Sequence, residues 1–130
     1  MPRIRANNLF DSFKYAVEGI GYTIKTQRNM RLHLTVGIIV FIVSLYLQIS
    51  RIELAILTMV VTMVIVAEMF NTAIESTIDL YSRQRHPLAK IAKDVAAAAV
   101  LISAISSALV GLLILGPPLW ELLKNWLDFK

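Results

Sequence analysis

Glu68, Asn71, Glu75 and Asp79 recur at steps of three and four residues in the stretch AEMFNTAIESTIDLYS. On a helix turning about 100° per residue they fall within about 80° of one another, so one stripe carries three carboxylates and an amide. Such hard oxygen ligands suit Mg²⁺, which takes one or two protein carboxylates and completes its shell with water and phosphate oxygens. Lys93 and Asp94 follow soon after, behind a connection bearing Arg83, Arg85, His86 and Lys90. Cations at that place can hold a triphosphate. The chemistry these types and spacings point to is phosphoryl transfer from a metal-bound nucleotide.

Each residue also has a plainer reading. Asp79, near the water, is the carboxylate best explained by snorkelling or by pairing with a lysine, and Asn71 can be interhelical glue. Arg83 and Arg85 serve as a topology signal as well as they serve a nucleotide. His86 stands before a proline, where a turn residue is commoner than a ligand. Glu68 resists such readings, because a carboxylate at membrane depth is functional by default.

The elements that must position these groups belong to a membrane protein. The chain has 130 residues, 57% hydrophobic and 17% charged, with a mean hydropathy of +0.66. That leaves too little polar surface to cover a water-soluble globule. The net charge of +4 and the pI near 9.6 sit beside apolar runs rather than in an aromatic-laced patch, so an anionic leaflet is the expected partner and no nucleic acid. The absence of cysteine excludes disulfides, thiol nucleophiles and zinc thiolates.

The spacing predicts an all-α chain of one membrane domain, with a surface helix, three spans and a tail. Phe10, Phe13, Val17, Ile20 and Ile24 form one face of an amphipathic helix over about 8–27, suited to the membrane surface or to packing on a core. Spans are expected over about 30–50, 52–80 and 92–116. Pro117 and Pro118 are expected to end the third, leaving 117–130 as an amphipathic tail with interfacial tryptophans. Leu54 to Ala67 is uncharged and reaches about 21 Å into a core of about 30 Å, which sets Glu68 inside the bilayer. The N-terminal stretch lacks the apolar core and cleavage site of a secretory signal, so the mature chain is expected to begin near Met1.

Lysine and arginine placement predicts orientation. Arg3, Arg5, Lys14, Lys25, Arg28 and Arg31 precede span one, and Arg83, Arg85, Lys90 and Lys93 follow span two. Both segments should be cytoplasmic, in the plasma membrane, with the C-terminus outside. Gly19, Gly21, Lys25 and Thr26 lack the spacing of a phosphate loop. Ala99, Ser103, Ser107 and Gly111 repeat every four residues, a face for close helix packing within or between subunits.

AEMFNTAIESTIDLYS followed by HPLAKIAKDVAAAAVL resembles the signature of the prokaryotic diacylglycerol kinase and undecaprenol kinase family. A weaker echo, SFKYAVEGIGYTIKTQRNMRLHL, extends the resemblance over most of the chain. It implies a homotrimer of three-span subunits that phosphorylates a lipid alcohol with ATP and Mg²⁺, at sites between neighbouring subunits on the cytoplasmic face. By position, it implies Glu68 as catalytic base, Glu75 as metal ligand, and Glu68 with Ala97 at the lipid substrate. Asn71, Asp79, Lys93 and Asp94 fall at polar positions around the nucleotide, and Tyr22 and His86 align with nucleotide contacts. Gln27 stands where the family commonly has a second metal-binding glutamate, so metal affinity is lowered or the second ion is bound differently. HPLAKIAKD and the short stretch from Tyr22 to Arg31 resemble the undecaprenol kinase branch more than the enterobacterial one. Two other functions are weighed: a small cation or proton conductor, which would explain the buried carboxylates but not Lys93 and Asp94 at the cytoplasmic mouth, and a scaffold that only associates through its small-residue face.

Overall fold

The computed structural model describes residues 8–81 and 86–128, which form four α-helices. Arg3, Arg5, Arg83 and Arg85, used above to orient the chain, lie outside the described residues.

Helix α1 spans Leu9–Thr26. Asn8 caps its start: Oδ1 accepts the Asp11 N–H at 2.8 Å, with Asp11 in the first turn and Lys25 in the last, both favourable to the helix dipole. Its apolar stripe is not covered by the rest of the chain, since Phe10 and Phe13 are 76% and 70% exposed. Thr23 is its one buried residue. Gln27 then turns extended and separates α1 from α2, Arg28–Tyr46. Arg31 secures this corner by donating Nη1 to the carbonyls of Ile24 and Lys25, at 3.0 and 3.1 Å, which the end of α1 leaves unpaired.

The α2 helix stops at Tyr46, short of the expected 50. Gln48 takes a left-handed backbone, φ 52°, and the Leu47 and Ile49 N–H groups close on Val43 and Ser44 carbonyls. Ser50 and Glu53 then start α3, Arg51–Tyr81, with a reciprocal capping box: the Ser50 N–H donates to Glu53 Oε2 at 2.8 Å and the Glu53 N–H to Ser50 Oγ at 3.2 Å. Gly37 marks a close approach of α2 to α3. A Cβ there would lie 2.8 Å from Val61 Cγ1.

Helix α4 runs Pro87–Asp128 without a break. Pro117 and Pro118 lie inside it, which corrects the expectation that they end the third span. The reason is local: proline's fixed φ is helical, and each proline removes only its own N–H from the hydrogen-bond ladder, so the bonds on either side carry the helix through. At about 1.5 Å per residue α4 is about 63 Å long, twice a bilayer core, so its ends extend past it.

Helices α2, α3 and α4 are long and apolar enough to cross a membrane. Few of their side chains are buried: Met30, Leu57, Val64, Ala96, Val100 and Leu115 are the apolar ones, while Leu112 and Leu113 are 70% and 75% exposed. Hydroxyls along the spans bond their own backbone, as Ser44 does to Val40, Thr58 to Leu54 and Thr62 to Thr58, which satisfies them without water. The chain is a multi-pass membrane protein. Gly111, at the end of the four-residue repeat, has nothing within 4 Å of an added Cβ, so the stripe is not closed there by this chain's own helices.

Candidate active site

The polar ridge of α3 grades from buried to exposed. Glu68, Asn71 and Thr72 are 1%, 7% and 3% exposed, Glu75 is half-buried and Asp79 is open. Helix α4 packs on α3 with Ala96 and Val100 buried, and the stripe runs out toward the C-terminal end of α3. Thr72 Oγ1 donates to the Glu68 carbonyl at 2.9 Å, and Asn71 Nδ2 donates to Glu75 Oε1 at 3.1 Å. Among the described residues two buried side-chain oxygens are without a partner, Glu68 Oε2 and Asn71 Oδ1. Unsatisfied acceptors at that depth cost about 1–3 kcal/mol each, which a structural role does not explain.

Lys93 reaches from α4 to α3 and bonds Asp79 Oδ1 at 2.5 Å. Lys90 pairs with Asp94 at 2.5 Å along α4, with both side chains more than half exposed. A pair so exposed adds little stability, about 0.3–0.5 kcal/mol. His86 caps α4: its Nδ1 accepts the Leu88 N–H at 3.2 Å, and its carbonyl accepts from Ala89 and Lys90. That is the turn role, with Pro87 at the first helical position. Tyr22 lies exposed on α1, and Gln27 is half-buried at the α1–α2 corner.

A cavity of about 250 Å³ brings Glu68, Asn71 and Ala97 together with Asn29 and His33 of α2. Of the sequence candidates it therefore joins the expected base to the position expected to touch lipid. Asn29 and His33 were not singled out from sequence. Their signal was available, as polar side chains at the start of an otherwise apolar span.

Among the described residues no group of three or more His, Cys, Asp or Glu is placed to hold a metal. The donor set does fit a hydrated Mg²⁺ delivered with phosphate. Glu75 supplies one carboxylate, held by the Asn71 amide, and Asn71 Oδ1 is a hard oxygen left unpaired. Gln27 adds only a neutral amide oxygen.

Three helices long and apolar enough to cross a membrane, one of them carrying an acidic ridge that a lysine of the next helix meets, define an integral membrane protein. The chain belongs to the prokaryotic diacylglycerol kinase family, whose profile matches residues 14–115. It is 44% identical to a diacylglycerol kinase of Synechocystis over 91% of this chain and 68% of that protein. It is 41% identical to an undecaprenol kinase of Bacillus subtilis over 90% of this chain and 95% of that one. A diacylglycerol kinase of Pseudomonas aeruginosa is 32% identical over 68% of this chain and 72% of its own.

Proposed function

We propose that this chain transfers the γ-phosphoryl group of ATP to the primary hydroxyl of a membrane lipid alcohol, with Glu68 as general base. The lipid kinase activity follows from family membership and from relatives named for it. The observation that carries the base assignment is Glu68 Oε2, a buried carboxylate oxygen without a partner on a cavity it shares with Ala97. The lipid hydroxyl reaches this cavity laterally while the nucleotide comes from the water end of α3. The hydroxyl gives its proton to Glu68, its oxygen bonds to the γ-phosphorus, and ADP leaves with the electron pair of the broken bond. Lys93 releases Asp79 and moves to the phosphates; Asp79, Asp94 and Asn71 surround the nucleotide, with His86 and Tyr22 at its edge. When bound at Glu75, Mg²⁺ neutralises the phosphate charge.

Three further parts belong to the reading: a homotrimer, which rests on the resemblance, a cytoplasmic active site in the plasma membrane, which rests on lysine and arginine placement, and α1 lying on the membrane surface. The last is supported by its uncovered apolar stripe. The acceptor leans toward undecaprenol over diacylglycerol, on HPLAKIAKD and the short stretch from Tyr22 to Arg31. No observation favours the conducting alternative.

Two measurements test this. Glu68→Gln, reconstituted with MgATP and lipid, is expected to bind nucleotide and lose turnover; wild-type turnover removes Glu68 from the base role. Purified protein in mixed micelles, offered undecaprenol and diacylglycerol together, is expected to phosphorylate undecaprenol first, and the reverse order overturns that lean.

A further inference from the structure

His33 stands where two cavities meet. One is the chamber of about 250 Å³ that holds Glu68, Asn29, Asn71 and Ala97. The other, about 200 Å³, lies between α2, α3 and α4 and is walled mainly by apolar side chains such as Val36, Val40, Val61 and Val64. His33 and Ala104 line both. An imidazole is thus the one polar group between a hydrocarbon-like compartment and the chamber of the base. It also lies within electrostatic reach of the Glu68 carboxylate.

The two side chains do not satisfy each other, since Glu68 Oε2 is buried with no hydrogen-bond partner. A hydroxyl is the group that closes such a gap, because it donates one hydrogen and accepts on two lone pairs. We propose that His33 is a positioning residue for the acceptor hydroxyl. Its ring N–H donates to one lone pair of the hydroxyl oxygen while the hydroxyl donates to Glu68 Oε2, which leaves the second lone pair aimed at the γ-phosphorus. The transfer is that of the proposed reaction: the O–H bond breaks, its proton goes to Glu68, the oxygen–phosphorus bond forms and ADP departs. His33 changes no charge in this step. The assignment rests on the reading of Glu68 as the base.

The test uses the full chain in mixed micelles with MgATP and undecaprenol. His33→Leu is expected to lower kcat about a hundredfold, the scale of losing one aligned donor, with the KM for MgATP unchanged. His33→Gln, which keeps an N–H at similar reach, is expected to recover most of that rate. Wild-type kcat in His33→Leu, or equal loss in both variants, overturns the proposal. If His33→Leu no longer binds MgATP, His33→Asn carries the test: a kcat loss of tenfold or more supports it and a wild-type rate overturns it. Glu68→Gln runs alongside. Its inactivity together with a fully active His33→Leu removes His33 alone, whereas full activity of Glu68→Gln removes both assignments.

Discussion

Lys93 on α4 bonds Asp79 on α3 at 2.5 Å, fourteen residues away in sequence, and so ties the two helices at the open end of the acidic ridge. Asp79 is more than half exposed and Lys93 about one-third, which keeps the bond's contribution to stability at about 1 kcal/mol or less. On the proposed function it holds the lysine beside the path of the phosphates. Lys93→Ala is therefore expected to lower kcat/KM for MgATP by about a hundredfold or more, and Asp79→Asn by about tenfold or less, with thermal stability little altered in either. Steady-state kinetics with varied MgATP checks the order, and a larger loss in Asp79→Asn would refute it.

Asn71 fixes Glu75 through its amide N–H at 3.1 Å. If Glu75 holds the metal as proposed, losing that bond frees the carboxylate from its orientation toward the ion. Asn71→Ala is expected to raise the Mg²⁺ concentration for half-maximal activity about tenfold, read from a Mg²⁺ titration at fixed free ATP. An unchanged titration would separate Asn71 from the metal.

Gln27 bears on the same titration from the opposite direction. A carboxylate restored at this half-buried corner adds one anionic ligand, so Gln27→Glu is expected to shift the Mg²⁺ curve to lower concentration by several-fold. A curve that stays in place, or moves upward, places the corner outside the metal's reach.

Glu68 is expected to set activity against stability. Its carboxylate is 1% exposed and one oxygen lacks a partner. Replacement by an apolar side chain of similar size removes that penalty, so Glu68→Leu should be inactive yet unfold at higher temperature, by about 1–3 kcal/mol in stability. Thermal unfolding in detergent micelles measures this. A destabilised Glu68→Leu would mean that the carboxylate is satisfied in the assembled protein.

Gly37 tests the fold alone. Its added Cβ would meet Val61 Cγ1 at 2.8 Å, and a β-branched side chain in a helix has little freedom to rotate away. Gly37→Ala is expected to cost about 1–3 kcal/mol, and Val61→Ala in the same chain should recover most of it. Failure of the second change to rescue the first would show that α2 and α3 do not meet there.

The membrane class, the helical content and the acidic ridge were legible in the sequence because each depends on what lies near in the chain. Hydrocarbon solvent demands long uncharged helices, and a spacing of three and four residues determines which side chains share a face. That is why Glu68, Asn71, Glu75 and Asp79 could be grouped before any coordinates. Where a helix stops is less local. Pro117 and Pro118 suggested an end, but two missing donors do not halt a helix whose remaining bonds and packing hold, and α4 passes through them. The α2–α3 turn depended on Gln48 and on the Ser50–Glu53 capping box, a pair that the apolar pattern alone did not single out. What only the tertiary structure decided was which groups from different helices meet. In the sequence His33 is one polar residue near the start of an apolar span, and only the arrangement of α2, α3 and α4 puts it on one cavity with Glu68 and Ala97. Contacts of that kind depend on the rotation and offset of whole helices, which periodicity along one helix does not contain.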